Sequence, residues 1–287
     1  MELGIDSFAA VVSDPVTGVT LSPADRLANL LEEIEVADRS GVHSFGVGEH
    51  HRPEYLDSAP SLILAAAAAR TSRIRLNSAV TVLSADDPVR VFQQYATLDL
   101  LSRGRAELVV GRGSFIEAYP LFGLNTQDYD SLFSEKLELL LRLRGDTHVH
   151  WSGRHRAPLR GQGVYPRPQQ PQLPVWVGGG RHAGVVSCGA GRAGACRWMV
   201  AIIGGDFRAF RPLVDLYREA GAQAGHAPGD CGWACTPSAS WATATRAHGT
   251  TSGRGTRGCW SRWAASGAGR RRGGRSSTRR ADRPART

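Results

Sequence analysis

Short, almost continuously apolar runs alternate with longer amphipathic segments through the first 180 residues, and this alternation limits the fold most sharply. "LGIDSF", "FGVG", "IRLNSAVTVL", "AELVVG" and "VWVGGG" read as strands. Between them lie helical patterns. The first has Ser22 as N-cap, Pro23 at the first helical position and Gly41 as the stop, with Leu27, Leu30, Leu31 and Ile34 on one stripe. "SLILAAAAAR" is a second, Asp87-Pro88 opens a third that runs to about Ser102, and "SLFSEKLELLLRLR" is a fourth. Strands that are apolar throughout need cover on both faces, so the pattern predicts a parallel sheet clothed by helices. A doubly wound sheet and a (β/α)₈ barrel both satisfy it. In either, function gathers at the carboxyl ends of the strands.

Three consecutive strand ends carry polar chemistry: "GEHH", "VLSADDP" and "GRGS". Arg112 between two glycines suits a phosphate-bearing ligand, with Gly113 permitting close backbone approach. His50 and His51 make a poor metal pair, because adjacent residues on an extended chain point to opposite sides. A proton-transferring imidazole fits His50, and a solvated loop histidine is the plainer reading, stronger for His51. His43 and His155 read as surface or loop residues. His148 and His150, alternating with Val149 and Trp151, read as the exposed face of a hairpin.

Charge divides the chain. Residues 1–180 hold 17 basic and 21 acidic groups, while 181–287 hold 18 and 5, together with all five cysteines. The basic balance that points to nucleic acid in many proteins is thus confined to one end. Residues 231–287 contain 12 arginines and one acid, Asp282, but no Ile, Leu, Val, Met or Phe. So few apolar groups cannot offset the entropy of ordering, and the expectation is a disordered Arg/Gly/Ser-rich tail that binds nucleic acid only nonspecifically. Cys231 and Cys235 have no second ligand pair at zinc spacing. No apolar run is long enough for a membrane span and no signal-peptide pattern opens the chain, so a cytoplasmic setting without membrane contact is expected.

"FGVGEHHRPEY", "SAPSLILAAAAARTSRIRLNSAVTVLS", "DDPVRVFQQYATLDLLSRGRAELVVGRGSF", "YPLFG", "GQGVYPRPQQPQLPVWVG" and "AIIGG", in this order, resemble the bacterial luciferase-like flavin-dependent monooxygenases. The resemblance implies a (β/α)₈ barrel over residues 1–230 that binds reduced FMN at its C-terminal mouth and uses oxygen on a small organic substrate, served by a separate flavin reductase. Some relatives use a deazaflavin coenzyme to move hydride instead, and relatives commonly form homodimers. By position, His50 matches the catalytic histidine, with Glu49 beside it. Ala79 and Val80 match a pair joined by a non-prolyl cis peptide under the flavin ring. Arg112 matches the phosphate-pairing arginine, with Gly113, Ser114 and Phe115 alongside and the Gly178-Gly179-Gly180 turn in support. No metal is implied.

The pattern breaks after "VWVGGG", where the family continues with a Gly-(Ser/Thr)-Pro-Glu-Ser loop and this chain has "RHAGVVSCGAGRAGACRW". Codons permitted for Arg181 to Val185 (CGG-CAC-GCC-GGA-GTC) contain Gly-Thr-Pro-Glu-Ser in the neighbouring frame. About 181–197 therefore reads as a frame-shifted segment, and 231–287 as a second, non-native one that supplies no barrel strand. On that reading the barrel is incomplete at its C-terminal end, and an inactive product is the alternative outcome. Sequencing the gene across codons 178–198 should return codons that restore Gly-Thr-Pro-Glu-Ser one base away; codons incompatible with that motif would reject the frameshift.

Overall fold

The computed structural model describes residues 2–14, 16–179, 197–202, 207–226 and 232–237. Strand β1 (Gly4–Ser7) leads to helix α1 (Pro23–Arg39), which Ser22 caps by accepting from the Asp25 backbone N–H at 3.1 Å. Then come β2 (Ser44–Val47), α2 (Pro60–Ala68), β3 (Arg75–Ser78), β4 (Thr81–Val82) and α3 (Pro88–Ser102). The Asp87 carboxylate caps α3 through the N–H groups of Val89 and Arg90. Next are β5 (Ala106–Gly111), the short α4 (Ala118–Leu121) and α5 (Tyr129–Gly145). An antiparallel hairpin, β6 (His148–Trp151) with β7 (Leu159–Gly163), precedes β8 (Val175–Gly179). Its first strand exposes His148 and His150 and buries Val149 and Trp151, as the alternation predicts. The described chain continues with β9 (Arg197–Ile202), α6 (Arg211–Gln223) and β10 (Trp233–Pro237).

The main sheet is parallel throughout, in the order β1-β2-β3-β5-β8-β9-β10, with β4 beside β5. It is a curled half-barrel, consistent with the barrel expectation rather than with a doubly wound sheet. Alternation splits each strand between two faces. Phe45, Val47, Leu76, Leu108, Val110, Val175 and Val177 face the helices in one core with Leu30, Ile34, Leu64, Phe92 and Leu139. Each such side chain contributes about 2 kcal/mol by leaving water.

Two elements differ from the sequence reading. "IRLNSAVTVL" forms two strands rather than one, with Ala79 and Val80, joined by a cis peptide, lying between β3 and β4. Strand β10 lies inside the segment expected to supply no strand, and pairs with β9 over five residues. Parallel pairing draws on backbone donors and acceptors, so it proceeds without Ile, Leu or Val. The segment 181–196 and residues 238–287 lie outside the described residues, so the frameshift and tail readings fall there.

The amino-terminal side of the sheet is tied by charges. Asp38, at the end of α1, accepts from the backbone N–H groups of Ser72, Arg73 and Ile74 just before β3. Asp99, fully buried in α3, accepts from Ala106 N–H and from the backbone and side chain of Gln170. Arg105 donates to the carbonyls of Ala68, Thr71, Ile74 and Ser102, closing the ends of α2 and α3. Removing one of these carboxylates would strand several donors, at a cost on the order of 3 kcal/mol. That side holds the fold and leaves the opposite rim free for chemistry.

On the inner face, Asp6, Gly46, Asn77 and Glu107 stand in one register row across four strands. A Cβ on Gly46 would lie 2.2 Å from Asp6 Oδ1 and 2.7 Å from Asn77 Oδ1, so only glycine lets those two oxygens converge. Asn77 Oδ1 has no hydrogen-bond partner among the described residues, and burial raises the Asp6 pKa from 3.8 to about 6. Burial penalises the ionised carboxylate, so the cost is absent below the unfolded pKa, grows as pH rises through this window and is complete above about 6, reaching at most about 3 kcal/mol. Asp6→Asn should therefore raise the melting temperature at pH 7.5, with the gain shrinking towards zero as pH approaches 4. A gain that does not change with pH would show that Asp6 is not strained by ionisation.

Candidate active site

Because every main-sheet strand runs the same way, the ends of β2, β4, β5 and β8 open on one rim. His50 leaves β2 there. Its Nδ1 lies 2.8 Å from Asp57 Oδ2, and its backbone N–H donates to Asp57 Oδ1 at 3.1 Å. His50 is 9% exposed and Asp57 fully buried. Three rings wall the imidazole: Tyr55 at 4.5 Å, Phe8 at 4.7 Å and Phe115 at 5.1 Å between centroids. Phe115 follows Arg112 by three residues and carries the Arg52 guanidinium over its outer face at 4.8 Å. Sequence reasoning singled out His50 and Phe115 but passed over Asp57. Its only signal was a charge placed seven residues past the histidine in "EYLDSAP", with nothing local to show that it folds back.

Glu49 does not reach His50. Residues two apart on an extended chain share a side, and Glu49 pairs with His51 Nε2 at 3.1 Å while its other oxygen accepts from the Val82 N–H at 2.9 Å. The expected solvated His51 is instead largely covered, its ring lying against Phe122 at 5.2 Å. The Glu49 hydrogen bond raises the His51 pKa against the opposing effect of burial.

The cis Ala79–Val80 peptide sits where the resemblance places one. Val80 packs into gaps left by two glycines: a Cβ on Gly111 would meet its Cγ2 at 2.6 Å, and one on Gly178 its Cγ1 at 2.7 Å. The result is a shelf across β4, β5 and β8, and among the described residues Val80 is the side chain that lies nearest to where a Cβ would stand on Gly111 and Gly178. Gly179 continues it, and among the described residues nothing lies within 4 Å of where its Cβ would be. Gly180 lies outside the described residues.

Arg112 leaves the end of β5. Its Nε is 3.0 Å from Asp130 Oδ1, and its guanidinium lies over the Phe133 ring at 4.5 Å. Asp130 is 78% exposed, so the pair is solvent-screened and weak. Gly113 takes φ +78°, a left-handed turn, and a Cβ there would lie 2.9 Å from Val82 Cγ1. The turn is tethered by Tyr119 donating to Arg112 O and Tyr129 donating to Gly113 O, with those two rings stacked at 5.6 Å. Ser114 is exposed beside it. The rim thus brings together a held imidazole, a small-residue shelf and a largely buried cation whose ion-pair partner is exposed.

Comparison with known proteins agrees with this fold. The family model described as luciferase-like monooxygenase matches residues 1–279. A 4-hydroxyprotoasukamycin monooxygenase from Streptomyces nodosus subsp. asukaensis is 35% identical over 160 residues, covering 54% of this chain and 43% of that protein. The matched stretches span about half the length of the curated relatives. The crystal structure of monooxygenase RslO1 from Streptomyces bottropensis superposes with TM-score 0.71 at 24% identity, covering 92% of this chain and 82% of that one. The oxygenating constituent of 3,6-diketocamphane monooxygenase from Pseudomonas putida, in complex with FMN, gives 0.66 at 20% identity, covering 79% and 64%. Further matches include F420-dependent enzymes and one enzyme described as an oxygenase component. With the family model matched over nearly its whole length and the fold shared, this chain belongs to the luciferase-like monooxygenase family.

Proposed function

We propose that the chain is a flavin-dependent monooxygenase whose site lies within residues 1–230 and takes reduced FMN from a separate reductase. The observation that carries this reading is the single rim on which the His50 imidazole, the Val80 shelf and the Arg112 cation stand. The residues fit a phosphate-bearing flavin. Val80 with Gly111, Gly178 and Gly179 leaves a flat surface for a planar ring, and Ala79 borders it. Arg112 offers a weakly committed guanidinium for the phosphate, and Gly113 and Ser114 expose backbone and hydroxyl donors next to it. Reduced flavin would supply the electrons with which oxygen is activated.

The chain's own residues have three tasks. Arg112, Gly113 and Ser114 grip and orient the phosphate. The aromatic wall of Phe8, Tyr55 and Phe115 packs around the imidazole and leaves its Nε2 open to the mouth. His50 moves a proton to or from the small organic substrate. The F420-dependent matches keep hydride transfer with a deazaflavin as the second reading.

Anaerobic titration separates the readings, because tight binding of reduced FMN with none of the deazaflavin supports the first and the reverse supports the second. In the same assay Arg112→Ala should weaken FMN about 10- to 100-fold and leave riboflavin unchanged, since it removes one charge-assisted contact. Equal losses for both ligands would contradict the phosphate role.

A further inference from the structure

Asp57 is buried without a basic residue to neutralise it, since among the described residues its ion-pair partner is His50. Each of its oxygens meets His50, Oδ1 at the backbone N–H and Oδ2 at ring Nδ1, and its own backbone N–H also donates to the carboxylate. An ionised carboxylate only accepts hydrogen bonds, so the Nδ1 facing it must carry a proton in either charge state of the ring. Gly48 makes this approach possible: a Cβ there would lie 2.6 Å from Phe8, 2.7 Å from Asp57 Oδ2 and 3.1 Å from His50 Cε1. With Phe8, Tyr55 and Phe115 around it, the ring cannot turn its other edge to Asp57. The second nitrogen, Nε2, has no hydrogen-bond partner among the described residues, and it is not sealed from solvent. The other charged groups nearby are engaged elsewhere, Glu49 with His51 and Val82 N–H, and Arg52 with Phe115 and the carboxylates of Glu54 and Glu117.

We infer that Asp57 is a positioning residue that holds neutral His50 as its Nδ1–H tautomer and so presents the Nε2 lone pair to the mouth. His50 then acts first as a proton acceptor, towards a substrate O–H, N–H or activated C–H. The proton passes to Nε2, its electron pair stays with the substrate, and the resulting imidazolium lies between the Asp57 carboxylate and aromatic faces that favour a cation. This inference rests on the reading of His50 as the proton-handling group, but its test does not.

Substitution by asparagine makes the inference sharp. The backbone N–H of His50 can only donate, so it claims the single carboxamide oxygen. The carboxamide NH₂ in Asp57→Asn must then face Nδ1, which has to become the acceptor, and the proton moves to Nε2. Long-range proton–nitrogen correlation spectra of the full chain, labelled with ¹⁵N-histidine and recorded above the His50 titration without flavin or substrate, read this directly. Wild type should show a protonated Nδ1 and an unprotonated Nε2 for His50, and Asp57→Asn should exchange the two signals. Wild type protonated on Nε2, or a tautomer unchanged in Asp57→Asn, would overturn the inference. Should the variant not fold, the wild-type spectrum alone still decides. A failed FMN titration with the expected tautomer would sink the cofactor reading and leave the role of Asp57 standing.

Discussion

Parallel backbone pairing is the constraint on which the rest of this molecule depends. Each main-sheet strand is hydrogen-bonded in the same direction as its neighbours, so every carboxyl end must reach the same rim and every helix must return along the outside. The two ends of the sheet are consequently built from different chemistry. On the amino-terminal side Asp38, Asp99 and Arg105 satisfy backbone groups that the return loops would otherwise leave bare. On the carboxyl side the side chains also pair with one another, as His50 does with Asp57 and His51 with Glu49.

Glycine placement turns that rim into a site. Gly46 lets Asp6 and Asn77 converge on the inner face, Gly48 lets Phe8, Asp57 and His50 close up, and Gly111 and Gly178 receive Val80. In each case a single methyl group would occupy space that a neighbour already fills. The cost of such packing is a set of polar atoms held at low dielectric, seen in the raised pKa of Asp6 and Asp57, with burial the leading cause in both. Membership of the luciferase-like family gives this arrangement its setting.

Much of the fold was legible in the residues. The Ser22-Pro23 and Asp87-Pro88 starts, the helical stripes and the apolar strands all describe local preferences that the tertiary structure reinforces. The misjudged pieces share a cause. The split of "IRLNSAVTVL" and the pairing of β10 depend on backbone geometry and on which strand lies alongside, and composition carries neither.

The sequence by itself determined a parallel sheet clothed by helices, with polar residues such as His50 and Arg112 gathered at its strand ends; the choice of a barrel over a doubly wound sheet, and the roles expected of those two residues, came from the family resemblance. The sheet and its polar ends follow from periodicity and from where polar residues interrupt apolar runs. Only the tertiary structure decided the partners: Asp57 rather than Glu49 for His50, Glu49 for His51, and Asp130 for Arg112. A carboxylate's effect falls off within a few ångströms and depends on burial, and both quantities are set by how the loops fold back over the sheet.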